Sequence, residues 1–157
     1  MKYPAPGDGT SKETDEAVYF YTPTFYPLDN YAAYAVQIWG LTFPTAEHAF
    51  QWKKFDSVQP GIAEEIHQAS SPNEAKRIAR EHKAIRVEDW SELRLVVMQD
   101  VLRAKFDQHP EIRELLRRTG KRAIYENSPD DSFWGIGPDG RGENRLGEMW
   151  MMLREEL

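Results

Sequence analysis

Prolines and glycines placed at the ends of helical patterns constrain the fold of this chain more than any other sequence feature. Ser71-Pro72-Asn73-Glu74 forms a capping box with proline at the first helical position, one of the clearest helix starts in the chain. Pro110 opens a further helix, which Gly120 closes. Gln59-Pro60-Gly61 breaks the chain before a short helix. These boundaries predict a helix-rich chain.

A small β element accompanies the helices. Residues 18–21 and 35–38 carry the β-branched and aromatic side chains that are typical of strands. The second of these segments turns through Trp39-Gly40 into residues 41–43, and residues 122–126 form a further strand pattern. The sequence therefore predicts a single compact α+β domain that is mostly helical.

The first residues of the chain differ in composition from the rest. Residues 1–16 are rich in proline, glycine and charge, so we expect a flexible lead-in before a domain at residues 17–157. The N-terminus lacks an apolar signal core, and no apolar run is long enough to span a bilayer. We therefore expect a cytoplasmic protein with no membrane partner.

Composition also narrows the chemistry. The 157 residues include no cysteine, which excludes disulfides, a thiolate nucleophile and cysteine-based metal sites. Catalysis must then come from Glu, Asp, Lys or His. The formal net charge of −6 argues against a general electrostatic grip on nucleic acid. It does not exclude a protein that reads one modified nucleotide.

The segment with the most chemistry follows Pro44-Thr45, where the threonine hydroxyl can cap a helix. Glu47, Gln51 and Lys54 recur at spacings of four and three residues, so they share one face of that helix. His48 lies on the neighbouring face. No second histidine lies three or four residues from it, so we expect no metal site. A carboxylate and an ammonium group on one short face favour a catalytic site over a purely structural helix.

A glycine-rich loop at residues 128–144 is the second unusual segment. It contains Asp131, Phe133, Trp134, Gly135 and Gly137. Glycine permits close backbone approach, and tryptophan offers a flat face to a base or sugar. The loop ends at Asn144, where the start of the last helix favours an anion such as a phosphate. These features indicate a ligand-binding loop.

In these segments the chain resembles the NADAR family, also called YbiA-like. The resemblance extends in order over about residues 18–157. The matching positions include Asn30, the Pro-Thr-x-Glu-His run at 44–48, Gln51, Lys54-Phe55, Ser71-Pro72, Trp90, Ala104-Lys105-Phe106, Asp131, Phe133-Trp134-Gly135 and Asn144-Arg145-Leu146-Gly147.

The resemblance implies a compact α+β domain that hydrolyses N-glycosidic bonds. The bond joins ribose C1 to the exocyclic amine of a guanine-like ring. It occurs in ribosylamino-pyrimidine intermediates of riboflavin biosynthesis and in ADP-ribosylated guanine. The implied partners are thus a nucleotide-type small molecule or ADP-ribosylated guanine in nucleic acid and, for antitoxin members of the family, an ADP-ribosyltransferase toxin. No cofactor is expected.

The resemblance also implies roles for individual residues. Glu47 would protonate the leaving amine or activate water, and Asp131 would share this acid and base work. Lys54 would stabilise a phosphate or attack the opened sugar to form a Schiff base. The implied substrate-binding residues are Asn30, His48, Trp90, Trp134, Gly135, Gly137 and Asn144.

Two alternatives to a hydrolase stay open at this point. A non-catalytic module for ADP-ribose or NAD-like ligands would keep the stacking and phosphate-binding residues and lose the acids. An antitoxin that works by protein contact would depend on a toxin partner. The presence of Glu47, Lys54 and Asp131 favours the hydrolase.

Overall fold

A computed structural model describes residues 3–21 and 26–157 of the chain. Six α-helices and five short strands occur within these residues, which confirms the predicted α+β class. The strands are β1 (Lys12–Glu13), β2 (Ala17–Phe20), β3 (Val36–Ile38), β4 (Leu41–Phe43) and β5 (Ala123–Glu126). The helices are α1 (Ala46–Lys53), α2 (Pro60–His67), α3 (Pro72–Glu81), α4 (Trp90–Gln108), α5 (Pro110–Thr119) and α6 (Arg145–Arg154), with a 3-10 turn at Lys83–Ile85.

The fold is made of two compact units. The first contains the described residues up to Ala32 together with His109–Leu157, and the second is Ala33–Gln108. Of the helices in the described ranges, none has both the length and the apolar character that crossing a bilayer requires.

A three-stranded sheet forms the centre of the first unit, in the order β1-β2-β5. β2 pairs in parallel with β5, and this register sets the fully buried Val18 opposite the fully buried Ile124. β1 pairs with β2 in the antiparallel sense. α6 lies against β5 and against α5. The pairing of β2 with β5 therefore joins two segments that lie about a hundred residues apart along the chain.

The N-terminal segment, for which the sequence predicts a flexible lead-in, forms backbone hydrogen bonds with the rest of its unit. The Gly7 amide donates to the Gly137 carbonyl at 2.9 Å, and the Gly9 amide donates to the Asn127 carbonyl at 2.9 Å. Residues 12 and 13 then form β1. Backbone groups of the segment therefore bond to the glycine-rich loop and to the sheet instead of to water. Met1 and Lys2 lie outside the described residues.

The second unit packs α1 against α2, α3 and α4. β3 and β4 form a hairpin whose turn residues, Trp39 and Gly40, have φ values of 52° and 79°. Positive φ at both central positions gives the turn the twist that a two-residue hairpin needs. A buried apolar cluster joins α2 and α3 to the end of α1. Its members are Phe55, Ala63, Ile66, Ala75, Ile78 and Ala79.

Local capping fixes the helix boundaries as predicted. Thr45 Oγ1 accepts a hydrogen bond from the His48 amide at 3.2 Å, which starts α1. Ser71 Oγ accepts one from the Glu74 amide at 3.1 Å, which starts α3. Gly120 ends α5 with a φ of 62°.

Candidate active site

The predicted face of α1 carries a linked pair of polar side chains. Glu47 is 7% exposed and Gln51 is 4% exposed. Gln51 Nε2 donates a hydrogen bond of 2.7 Å to Glu47 Oε1. Among the described residues, no hydrogen bond reaches Glu47 Oε2. The amide therefore orients the carboxylate and leaves one of its oxygens available for proton exchange.

Lys54 lies one turn beyond this pair. Its Nζ is 5.3 Å from the centre of the Phe50 ring and 5.4 Å from the centre of the Trp90 ring. Burial is the main cause that lowers the pKa of Lys54 to about 8. The negative charge of Glu47 opposes this shift, and the nearby cations Arg86, Lys76 and Lys83 contribute to it. At pH 7 the Lys54 amine is then neutral and nucleophilic in about a tenth of the protein molecules.

Trp90 is almost fully buried beside Lys54. The sequence predicts a substrate-binding residue, but only 4% of Trp90 is exposed. Its ring packs edge-to-face on Phe50, with 5.1 Å between ring centres, and lies beside the Lys54 ammonium. Little of the indole remains to stack on a base. Trp90 instead shapes the apolar surroundings that keep Lys54 partly desolvated.

His48, which the sequence predicts to bind substrate, is buried. Its Nε2 lies 3.0 Å from the Ala69 carbonyl, and its Nδ1 lies 2.8 Å from Thr45 Oγ1. Because a carbonyl oxygen only accepts, Nε2 carries the proton and Nδ1 accepts from the threonine hydroxyl. Burial lowers the pKa of His48, against the opposing effects of the Ala69 bond and the Glu47 charge. Both ring nitrogens are thus engaged by the protein, and neither is free for a substrate.

A small cavity opens beside Gln51 and Lys54 in the second unit. It has a volume of about 220 Å³. Its walls are formed by Gln51, Lys54, Lys76, Ala79, Arg80, Lys83 and Arg86. In the described ranges, no group of three or more His, Asp or Glu side chains is placed to hold a metal ion. Because most of its wall residues are Lys or Arg, the cavity is strongly cationic, and it lies next to the candidate catalytic amine of Lys54.

Asp131 has a structural contact of its own in the first unit. Its Oδ1 accepts hydrogen bonds from the amides of Phe133 and Trp134, both at 2.8 Å. The carboxylate therefore shapes the turn that presents the Phe133-Trp134 pair. Oδ2 takes part in no hydrogen bond within the described residues, so it stays available for the predicted chemistry.

The glycine-rich loop packs tightly around this turn. A Cβ on Gly135 would lie 2.8 Å from the Glu126 carbonyl oxygen, and a Cβ on Gly137 would collide with Ser132 Oγ. Gly137 also has a φ of 73°. Both glycines are required by the packing of the loop itself. Trp134 is half-buried, and its ring meets the Phe133 ring edge-to-face, with 4.7 Å between centres.

Asn144, which the sequence predicts to bind substrate, bonds to the backbone of β5. Its Oδ1 accepts from the Glu126 amide and its Nδ2 donates to the Ile124 carbonyl, both at 2.9 Å. The predicted anion site at the start of α6 is occupied by the protein's own backbone. The amides of Asn144, Arg145 and Leu146 donate to the carbonyls of Gly135, Phe133 and Trp134, respectively. These amides are therefore not available to a phosphate.

Asn30 is buried in the same unit, next to an Asx turn. The Asp29 carboxylate accepts from the Tyr31 amide at 2.8 Å, which bends the chain around Asn30. The indole of Trp150 donates to the Leu28 carbonyl at 3.0 Å and ties this bend to α6. The position of Asn30 is therefore fixed by its neighbours.

The predicted site residues fall into both units. The second unit brings together Glu47 and Lys54, and it also holds His48 and Trp90. The first unit holds Asn30, Asp131, Trp134, Gly135, Gly137 and Asn144. The sequence prediction does not assign Gln51, or the cations of α3 and of the 3-10 turn that follows it, to the site. The spacing of Lys76, Arg80 and Lys83, four and then three residues apart, is the signal that could have identified those cations.

Comparison with known proteins places this geometry in a family context. The NADAR domain family model matches residues 12–157. The chain is 39% identical to the N-glycosidase YbiA of Escherichia coli over 91% of this chain and 89% of that protein. It is 35% identical to an N-glycosidase of Nostoc punctiforme over 89% of this chain and 92% of that protein.

A longer relative and a solved structure are also similar. The chain is 36% identical to a riboflavin biosynthesis protein of Vibrio vulnificus, covering 96% of this chain but 41% of that protein. The NMR structure of Escherichia coli YbiA superposes with a TM-score of 0.80 at 36% identity, covering 97% of this chain and 90% of that one.

Proposed function

The chain belongs to the NADAR family and is an N-glycosidase, and we propose that it hydrolyses the bond between ribose C1 and the exocyclic amine of a guanine-like base. The substrates proposed are ribosylamino-pyrimidine intermediates of riboflavin biosynthesis and ADP-ribosylated guanine. The name of the Vibrio vulnificus relative supports the first of these.

One observation carries this proposal. A buried carboxylate and a partly desolvated amine, Glu47 and Lys54, share one face of α1 and border on Gln51. Hydrolysis of a glycosylamine needs a group that exchanges protons and a means of stabilising the ribose left behind. The α1 face supplies both within two turns of helix.

The lowered pKa of Lys54 favours a covalent route. Opening of the sugar ring turns the C1–N bond into a protonated imine. The neutral Lys54 amine adds to C1, a proton moves to the substrate nitrogen, and the base leaves as a free amine. Water then adds to the resulting Lys54 imine and expels Lys54, which releases the sugar. Glu47 carries the protons between Lys54, the leaving amine and water, and we propose that Asp131 shares this work.

Two of the remaining family positions are proposed to contact the substrate directly. Trp134, which is half-buried at the turn shaped by Asp131, would stack on the base. Asn30 would bond to a hydroxyl or a phosphate oxygen. His48, Trp90, Gly135, Gly137 and Asn144 are proposed to act indirectly, by holding α1 and the glycine-rich loop in shape.

The test is product release followed by mass spectrometry. The wild type is incubated separately with a ribosylamino-pyrimidine phosphate and with guanosine N-linked to ADP-ribose, and the Glu47→Gln variant is run in parallel. Glu65→Gln is the matched control because it makes the same change at an exposed carboxylate of α2. We expect release by the wild type and the control only. Release by folded Glu47→Gln at the wild-type rate would remove Glu47 from the chemistry.

The covalent route has a separate test. Borohydride added during turnover should reduce the imine and leave a ribose adduct on the Lys54 peptide, and Lys54→Met should give no adduct. Full turnover by Lys54→Met would refute the Schiff base while leaving the hydrolase proposal intact.

A further inference from the structure

The cavity beside Lys54 has an unusual charge balance. Seven of the described residues line it; five of these are cationic, and none of the seven is acidic. Four of these cations come from α3 and the segment that follows it. They are Lys76, Arg80, Lys83 and Arg86.

The remaining basic residue of α3, Arg77, has acidic partners. Arg77 lies outside the cavity lining and pairs with Glu74 at 2.8 Å and with Glu81 at 2.6 Å. Within the described residues, the four α3-side cations of the cavity form no ion pair with a carboxylate. Acidic partners are thus present on the outer face of α3 and absent from the cavity.

The unpaired cations repel one another across the cavity. The charges of Arg86, Lys76 and Lys83 each lower the pKa of Lys54, in addition to the larger effect of burial. Gathering like charges around an amine costs free energy when the cavity is empty, and an anion in the cavity offsets that cost.

Gln51 adds an independent requirement for a ligand. Its Oε1 is buried and has no hydrogen-bond partner among the residues that the structure describes, while its Nε2 donates to Glu47. A buried acceptor without a partner is costly, so a ligand that lies here gains by donating to it. A dianionic phosphate has no proton to donate, whereas a sugar hydroxyl does. The cavity therefore fits a ligand with both an anionic group and a hydroxyl.

Volume limits the size of that ligand. Pockets for drug-sized molecules span about 300–1,000 Å³. The cavity is smaller, at about 220 Å³. It suits one phosphorylated sugar and not a whole dinucleotide.

From these observations we infer that the cavity is the subsite for the 5′-phosphorylated ribose of the substrate. The phosphate lies among Arg80, Lys83 and the other α3-side cations, and a ribose hydroxyl donates to Gln51 Oε1. The inference rests on the proposed N-glycosidase function, and it specifies which part of the substrate the cavity binds. It also sets the sugar against Lys54, where the chemistry requires it.

The test measures binding without turnover. Calorimetry compares ribose 5-phosphate, ribose and ADP-ribose as ligands of the wild type and of the double variant Arg80→Gln/Lys83→Gln. Arg77→Gln is the matched control, since it removes a cation from the outer face of the same helix. We expect ribose 5-phosphate to bind more tightly than ribose, and the double variant to weaken it by about tenfold or more. The control should stay within about twofold.

Amide shifts in NMR spectra locate the ligand, and the shifts caused by ribose 5-phosphate should concentrate on α3 and the end of α1. Equal affinity for ribose and ribose 5-phosphate, or unchanged affinity in the double variant, would overturn the inference. If the double variant loses more affinity for ADP-ribose than for ribose 5-phosphate, the subsite binds a diphosphate-linked ribose. If it loses more affinity for ribose 5-phosphate, the subsite binds a ribose with a free monophosphate.

Turnover separates this inference from the proposed function. If the double variant hydrolyses the N-ribosyl substrates as efficiently as the wild type, the subsite is wrong and the proposed function stands. If the wild type binds ribose 5-phosphate in this cavity but releases no base from any N-ribosyl substrate, the proposed function is wrong and the subsite stands.

Discussion

Replacing Lys54 with methionine should abolish turnover and stabilise the fold, and the gain in stability should depend on pH. The pKa of Lys54 falls from 10.5 to about 8 on folding. Each unit of pKa shift corresponds to about 1.4 kcal/mol, so the charged side chain costs the folded state about 3 kcal/mol at pH 7. Methionine has a similar length and no charge, so it removes this cost while filling the space beside Phe50 and Trp90.

The sign of the pH dependence follows from proton binding. Between pH 8 and 10.5 the unfolded chain holds a proton on Lys54 that the folded chain has lost, so wild-type stability rises with pH across this window. The methionine variant lacks this rise. The difference in unfolding free energy between the variant and the wild type should be largest below pH 8. It should decrease by about 2 kcal/mol between pH 7 and pH 9.5.

Urea unfolding of both proteins at several pH values between 6 and 9.5 measures the difference curve, in which the titrations of all other groups cancel. Lys53→Met is the matched control. That ammonium lies 4.9 Å from the centre of the Trp39 ring and 2.9 Å from Asp56, away from the cavity lining. A difference curve for Lys54→Met that is flat with pH, or that matches the Lys53→Met curve, would refute the argument that Lys54 is desolvated.

Three further predictions address residues of the site. His48→Phe removes the two hydrogen bonds of the ring, so it should lower the unfolding free energy by about 2–3 kcal/mol and leave kcat nearly unchanged. Because burial lowers the pKa of His48, the stability of the wild type should also fall as the pH drops below 6.5. A loss of kcat without a loss of stability would indicate that His48 contacts the substrate. Asp131→Asn keeps the Oδ1 acceptor, so the unfolding free energy measured in urea should change by less than about 0.5 kcal/mol, while kcat should fall about a hundredfold. An unchanged kcat would show that Asp131 only shapes its turn. Asn144→Leu should lower thermal stability by about 2–4 kcal/mol, since it removes two hydrogen bonds to β5 at a position with a φ of 51°, and a stable variant with weakened substrate binding would restore its predicted role.

The sequence determined the features of this protein that depend on near neighbours in the chain. Thr45 and Ser71 cap their helices through bonds to amides three residues away, and Gly120 ends α5 through its own backbone conformation. The Glu47, Gln51 and Lys54 face follows from the helical repeat alone. Such features are readable because the interactions that form them span only a few residues.

Tertiary structure decided what the polar side chains do. Asn144 bonds to a strand about twenty residues earlier in the chain, which the sequence does not disclose. The His48 ring reaches the Ala69 carbonyl only because α1 packs against the end of α2. Lys54 acquires its low pKa from burial and from charges on α3 and the segment after it. Burial and charge are properties of three-dimensional surroundings, so these roles emerge only when segments far apart in the chain are brought together.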